Sequence, residues 1–91
     1  MPKYRKRPIV VEAVRVFDVL VNARVNWGGL PVWIVDAYEA GKLLFMPSSV
    51  SVITPEGLML AQQDDWLISG VQGEVYPCKP DIFKLTYEEV Q

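Results

Sequence analysis

Val50-Ser51-Val52-Ile53-Thr54-Pro55-Glu56-Gly57-Leu58-Met59-Leu60-Ala61 is the stretch on which the fold turns. Val50, Val52 and Thr54 alternate with Ser51 and Ile53, the period-two pattern of a β-strand. Pro55-Glu56-Gly57 carries the Pro and Gly of a tight turn, so the chain is predicted to reverse into a second strand, Leu58–Ala61. One hairpin implies a sheet, and the flanking segments read as more short strands. These are Leu43–Met46, ended by Pro47-Ser48-Ser49, then Trp66–Ser69 and Glu74–Cys78. The polar turn Gln62–Asp65 and the Gly70-Val71-Gln72-Gly73 turn separate them. Pro77 and Pro80 place the end of the last strand at a sheet edge.

Towards the N-terminus the period changes. Leu30, Ile34, Ala37 and Tyr38 fall on one helical face, with Pro31 in the first turn and Gly41 where a left-handed C-cap residue belongs. Between Asp18 and Trp27, Val19, Leu20, Ala23 and Trp27 recur at helical spacing behind an Asp18 N-cap. Val19, Val21 and Val25 also alternate as strand residues do; the segment is read as a short helix. Ile9 to Phe17 is rich in β-branched residues and reads as a strand with one well-buried face. Near the end, Asp81 caps a single helical turn, Ile82–Tyr87. These elements predict one α+β domain over residues 1–91. The expected architecture is a single antiparallel sheet of about five strands, one or two covering helices, and the N-terminal strand beside the C-terminal strands.

Composition narrows the chemistry. Hydrophobic residues are 51% and charged residues 22% of the 91, too apolar for a disordered tail. There is no histidine, which excludes His-based acid/base catalysis and His-assisted nucleophiles. Cys78 is the one cysteine, so no internal disulfide forms and no Cys/His zinc set is available. Gly28-Gly29 and Gly70-Val71-Gln72-Gly73 lack the Lys-Ser/Thr of a phosphate loop. The expectation is a protein that is not an enzyme and carries no cofactor or metal. No run approaches the roughly 18 apolar residues of a membrane span. The basic N-terminus is followed by no small-residue cleavage site. With one cysteine and no export signal, a reducing cytoplasm is the expected setting.

The net charge of −2 is unevenly placed. Residues 1–24 hold six basic and two acidic residues, a net +4, and the remainder is −6. Lys3, Tyr4, Arg5, Lys6 and Arg7 are the main candidate binding residues. Their four cations suit phosphates, and the interleaved aromatic suits stacking on a base. The competing reading is a solvated basic terminus, or one that pairs with Glu88-Glu89. Trp27, just before Gly28-Gly29, fits a partner-protein hot spot or a stacked base. Trp27, Trp33, Trp66, Tyr38, Tyr76 and Tyr87 suit either the lining of a ligand cleft or, the preferred reading, the core of a small domain. Asp64-Asp65 reads as a solvated turn rather than a cation site. Cys78 reads as a packed hydrophobe, although an adjacent Lys79 is placed to lower its pKa.

The two ends carry a resemblance. Asp64-Asp65-Trp66, Gly70-Val71-Gln72-Gly73-Glu74, Tyr76-Pro77-Cys78-Lys79-Pro80-Asp81-Ile82-Phe83 and Thr86-Tyr87-Glu88 resemble the tail of small tailed-phage and prophage proteins, the group called PGDYG proteins. Lys3-Tyr4-Arg5-Lys6-Arg7-Pro8-Ile9-Val10-Val11-Glu12-Ala13 is similar to the start of the same group, and Thr54-Pro55-Glu56-Gly57 to its central hairpin. The departure is Asp64, where the group usually has Gly; Asp is among the few residues that tolerate a positive φ there. The resemblance spans about half the chain and leaves residues 17–50 particular to this sequence. It implies a phage or prophage origin and action in the host bacterial cytoplasm, and it brings no catalytic residues.

Two functional classes follow. The first is a non-catalytic phage accessory protein that binds and modulates a host bacterial protein, for instance one of a defence system. The second is a small-ligand binder that sequesters an anionic nucleotide, with Arg5, Lys6 and Arg7 on phosphate and Tyr4 or Trp27 on the base. A structural or virion-associated role is a third. Duplex DNA is not an expected partner, for want of a recognition helix. Short, Pro-marked edge strands leave a homodimer open.

Overall fold

The computed structural model describes residues 1–5 and 7–90. The hairpin forms where the alternation puts it, as β3 (Ser49–Thr54) and β4 (Gly57–Gln62), with Val52 opposite Met59 and Val50 opposite Ala61. Pro55 fixes a negative φ, which excludes the mirror-image turns that suit the strand twist best. Gly57 absorbs the mismatch with a φ of +121°, a value that only glycine adopts without strain. The buried Thr54 hydroxyl closes the turn: it donates to the Gly57 carbonyl (2.8 Å) and accepts from the Glu56 N–H (3.2 Å).

Upstream, β1 (Ala13–Arg15) runs directly into α1 (Val16–Val25). A short 3-10 helix (Trp27–Gly29) and α2 (Val32–Glu39) follow. The end of α2 is set by Gly41, at φ +76°. The Lys42 N–H reaches back to the Ala37 carbonyl (2.9 Å) and the Gly41 N–H to that of Tyr38 (3.0 Å). This double closure satisfies the last helical carbonyls and aims the chain into β2 (Leu43–Phe45). After β4 come β5 (Trp66–Ser69), β6 (Val75–Cys78) and α3 (Pro80–Thr86).

The strands form two antiparallel three-stranded sheets, ordered β1-β5-β6 and β2-β3-β4. The expected single sheet of about five strands is therefore corrected, and three α-helices stand where one or two were expected. The reason lies at the turn between β4 and β5. The peptide groups of Gln62 that would continue the ladder are taken by Asp65. Its N–H donates to the Gln62 carbonyl (3.0 Å) and its carboxylate accepts the Gln62 N–H (2.8 Å). β5 then holds two consecutive buried residues, Leu67 and Ile68, so both its faces need cover. β1 and β6 flank it, with Ala13 opposite Ile68 and Leu67 opposite Pro77. The N-terminal strand does lie beside the C-terminal ones, and β6, with Pro77, does form an edge.

One core joins both sheets and both long helices. Val16, Val19 and Leu20 of α1 and Leu30, Ile34 and Ala37 around α2 meet Leu43, Val50, Val52, Ala61, Leu67 and Val75. The strand expected over Ile9–Phe17 shrinks to Ala13–Arg15. Beyond Glu12, whose carbonyl takes the Ser69 N–H (2.9 Å), β5 has ended, and Ile9 and Val10 are exposed. At the other end Val16 and Phe17 turn into helix. Their N–H groups donate to the carbonyls of Asp65 (3.0 Å) and Gln63 (3.1 Å), which replace the expected Asp18 cap.

Asp65, expected in a solvated turn, is instead buried (3% exposed), and its Oδ2 lies 3.0 Å from Lys79 Nζ. Replacing Asp65 with Ala strands the Gln62 N–H and is expected to cost about 2–3 kcal/mol. At about 4–8 °C per kcal/mol for a domain of this size, the thermal midpoint drops by more than 8 °C or so. Asp65→Asn keeps an acceptor and costs about half as much. Lys79→Ala falls between the two, because it leaves the buried carboxylate without a counter-charge, while water takes part of the place of a lysine that is more than half exposed. Thermal melts of the three variants check this ranking.

Candidate functional site

Trp27 is held out of the core by the way α1 ends. The Asn26 N–H bonds to the Asn22 carbonyl (2.9 Å), and the 3-10 helix closes through Leu30 N–H to the Trp27 carbonyl (3.1 Å). Buried Leu30 anchors the turn, and Trp27 is left on its outer side. Its indole meets two rings from other elements. Tyr38, in the last turn of α2, lies edge-on at 5.3 Å and 73°. Phe45 of β2 lies at 6.0 Å and 64°. Tyr38 and Phe45 stack on each other at 5.0 Å and 10°. Such ring pairs contribute about 0.5–1.5 kcal/mol each beyond area burial. Phe45 is half-buried, whereas Trp27 and Tyr38 keep about two-fifths of their surface in water (42% and 41%). The cluster is thus part core and part surface, a rigid aromatic patch with no long flexible side chain to order.

The basic arm behaves differently. Lys3, Tyr4, Arg5 and Arg7 are exposed, Tyr4 at 93%, and belong to no strand or helix. Lys6 lies outside the described residues. The arm leaves the first sheet past Glu12, at the Ser69 end of β5. Among the described residues no hydrogen bond, ion pair or ring contact joins it to Trp27 or to Glu88-Glu89. Lys3, Tyr4, Arg5 and Arg7 therefore lie on one arm and Trp27 in a separate patch.

Among the described residues two surface concavities stand out, and Lys3, Tyr4, Arg5 and Arg7 line neither. One, of about 450 Å³, lies between α1 and the turn before α2, over Phe17, Asp18, Val21, Asn22 and Pro31. The other, of about 480 Å³, lies over Arg15, Trp66, Asp81, Phe83, Lys84 and Tyr87. Sequence reading preferred the core over a ligand cleft for Trp66 and Tyr87 and left Arg15 aside, whereas all three line this concavity. Here Trp66 stacks on Phe83 (4.1 Å, 8°), Phe83 on Tyr87 (5.2 Å, 27°), and the Arg15 guanidinium sits 5.0 Å from the Trp66 ring centre. α3 has no buried residue, so this column is what docks it on β5. Phe83 stacks with a ring on either side of it in the column, Trp66 and Tyr87. The signal was readable in part: Phe83 and Tyr87 are four apart, hence on one helical face.

The thiol of Cys78 is not activated. Burial first, then the charges of Asp65 and Asp81, push it up. Lys79, expected to lower it, is engaged with Asp65. Among the described residues no group of three or more His, Cys, Asp or Glu is placed to hold a metal. No described helix is long and apolar enough to cross a membrane. Positive φ among the described residues is confined to glycines, so the turn at Asp64 does not need the conformation that glycine would supply. No family model, curated protein or solved structure matches the chain.

A raised thiol pKa means less thiolate at a given pH. Cys78 is therefore expected to react with a chromogenic disulfide reagent more slowly than free cysteine at pH 8, with its half-maximal rate at higher pH. A profile centred below that of free cysteine is the contrary result.

Proposed function

We propose that this is a non-catalytic protein-binding module, and, from the resemblance of its two ends, a phage or prophage accessory protein that acts on a host bacterial protein in the cytoplasm. The observation that carries the binding reading is the Trp27–Tyr38–Phe45 cluster. Binding energy at protein interfaces concentrates in a few residues, Trp and Tyr among them, that are well packed and lose their remaining contact with water in the complex. Trp27 and Tyr38 meet that description, because each is held by two ring neighbours and each is two-fifths exposed. Holding them in place before binding lowers the entropy lost on association. The patch also falls in residues 17–50, the part of the chain outside the resemblance, where partner specificity belongs. The raised thiol of Cys78 and the absence of histidine favour binding over catalysis.

The basic arm supports an auxiliary role. Exposed cations on an arm accelerate encounter with an acidic partner more than they hold it, and the effect fades with salt. Nucleotide sequestration is the weaker reading, since no described concavity gathers the arm's cations.

Affinity capture from bacterial lysate tests both readings. The protein is expected to enrich a host protein. A Trp27→Ala, Tyr38→Ala double variant loses it by at least tenfold while keeping its circular dichroism. Changing Arg5, Lys6 and Arg7 to Ala leaves the thermal midpoint within about 1 °C, as for exposed surface changes, and mainly slows capture at low salt. A nucleotide retained in native mass spectrometry and lost with the arm changes would overturn the protein-partner reading in favour of sequestration.

A further inference from the structure

The outer edge of β4 is open. Gln62 directs its N–H and C=O to Asp65, away from β3. Ile53, opposite Leu58, donates its N–H to the Lys42 carbonyl (2.9 Å), on the β2 side of β3. In an antiparallel ladder alternate residues share one orientation. Leu58 and Leu60 therefore also direct their peptide groups away from β3, and among the described residues none receives them. β4 reads Gly-Leu-Met-Leu-Ala-Gln, without the charge, proline or bulge that normally blunts an edge. β6 packs against β3 and β4, where Val75 joins Val50, Val52 and Ala61 in the core, and among the described residues no backbone hydrogen bond joins it to β4.

The face of the second sheet turned from the core is apolar too. Leu60, Ser51 and Leu44 lie in one cross-strand row, and Leu58 and Ile53 in the next. The four aliphatic side chains are 49–72% exposed and carry no charge among them. An exposed apolar patch of roughly 300–600 Å² is the largest that a monomer typically shows.

We propose that β4 pairs antiparallel with β4 of a second copy of this chain, about a two-fold axis through Met59. In that register Leu58 exchanges both its hydrogen bonds with the partner's Leu60, and Leu60 with the partner's Leu58, so all four free groups on each edge are paired. Met59 faces the partner's Met59 in a non-hydrogen-bonded pair. Glu56 falls opposite the partner's Gln62, so no like charges meet. The two sheets become one of six strands, and Leu58 of each copy lies beside the partner's Leu60 on the apolar face. A second copy fits better than another occupant because the edge is self-complementary in hydrogen bonding and neutral in charge. The contact is short and falls below the roughly 800 Å² per partner of a standard interface, so the dimer is weak and concentration-dependent. The surface is separate from the Trp27 cluster, and the two proposals fail independently.

Sedimentation velocity of the full chain from about 5 to about 500 µM, across the micromolar range of weak complexes, tests the dimer. The expected result is a rise from monomer to dimer mass. Leu60→Pro removes a donor that β3 does not use, and Met59→Lys, at a position 44% exposed, sets two like charges directly opposite across the axis; each is expected to keep the circular dichroism and stay monomeric. Independently, Met59→Cys in a Cys78→Ser background is expected to form a disulfide dimer under mild oxidation, since such a pair has Cα atoms about 4.5 Å apart. Ile53→Cys in the same background is expected to stay unlinked. Monomer mass throughout, a dimer that persists in both folded edge variants, higher oligomers in place of dimers, or failure of the Met59→Cys variant to cross-link would each overturn the proposal.

Discussion

Asp65 ties together the parts of the chain that are far apart in sequence. Its carboxylate holds the Gln62 N–H at the end of β4 and the Lys79 ammonium at the start of α3. Its N–H holds the Gln62 carbonyl, and its own carbonyl accepts the Val16 N–H at the head of α1. A carboxylate at 3% exposure is tolerable only with such partners, because an unpaired buried charge costs several kcal/mol. The same set of bonds ends one sheet, starts the other and caps a helix that has no side-chain cap of its own.

The two-sheet arrangement follows from that constraint. Once the ladder stops at Gln62, the outer edge of β4 is left without a neighbour from its own chain, and β5 is free to become the centre of the other sheet. β1 and β6 complete that sheet, and the stacked column Trp66–Phe83–Tyr87 seats α3 against it. On the opposite side, the left-handed turn at Gly41 brings β2 alongside β3 and Phe45 beneath Tyr38, which is how the aromatic patch around Trp27 is assembled. The exposed β4 edge and the Trp27 patch thus both arise from the way the chain closes its core.

The hairpin was legible because alternation and a Pro-Glu-Gly turn are local signals, and α2 was legible from spacing, whereas the segment Asp18–Trp27 carried both helical and strand spacing, and its helix runs instead over Val16–Val25. α2 even shows its terminus, since only glycine sits easily at φ +76°. The length of β1 was not legible. Ile9 and Val10 have the composition of a strand but no neighbour to pair with, because β5 ends at Ser69. The role of Asp65 was also hidden. An aspartate in a polar turn looks solvated until Lys79, fourteen residues on, arrives beside it. Trp27 was singled out from its place before a Gly pair, but Tyr38 and Phe45, which hold it, come from elements that only the tertiary structure brings together.

By itself the sequence determined the α+β class, the short strands and their turns, the position of α2, the absence of histidine and the uneven charge. These depend on residue type and on spacings of two to four residues, over which backbone preferences act directly. The tertiary structure alone decided that the strands divide into two sheets, that Asp65 is buried, that the basic arm stands apart from Trp27, and that the edge of β4 stays open. Each of these depends on which groups remain unpaired after distant segments have met, and no local pattern records that.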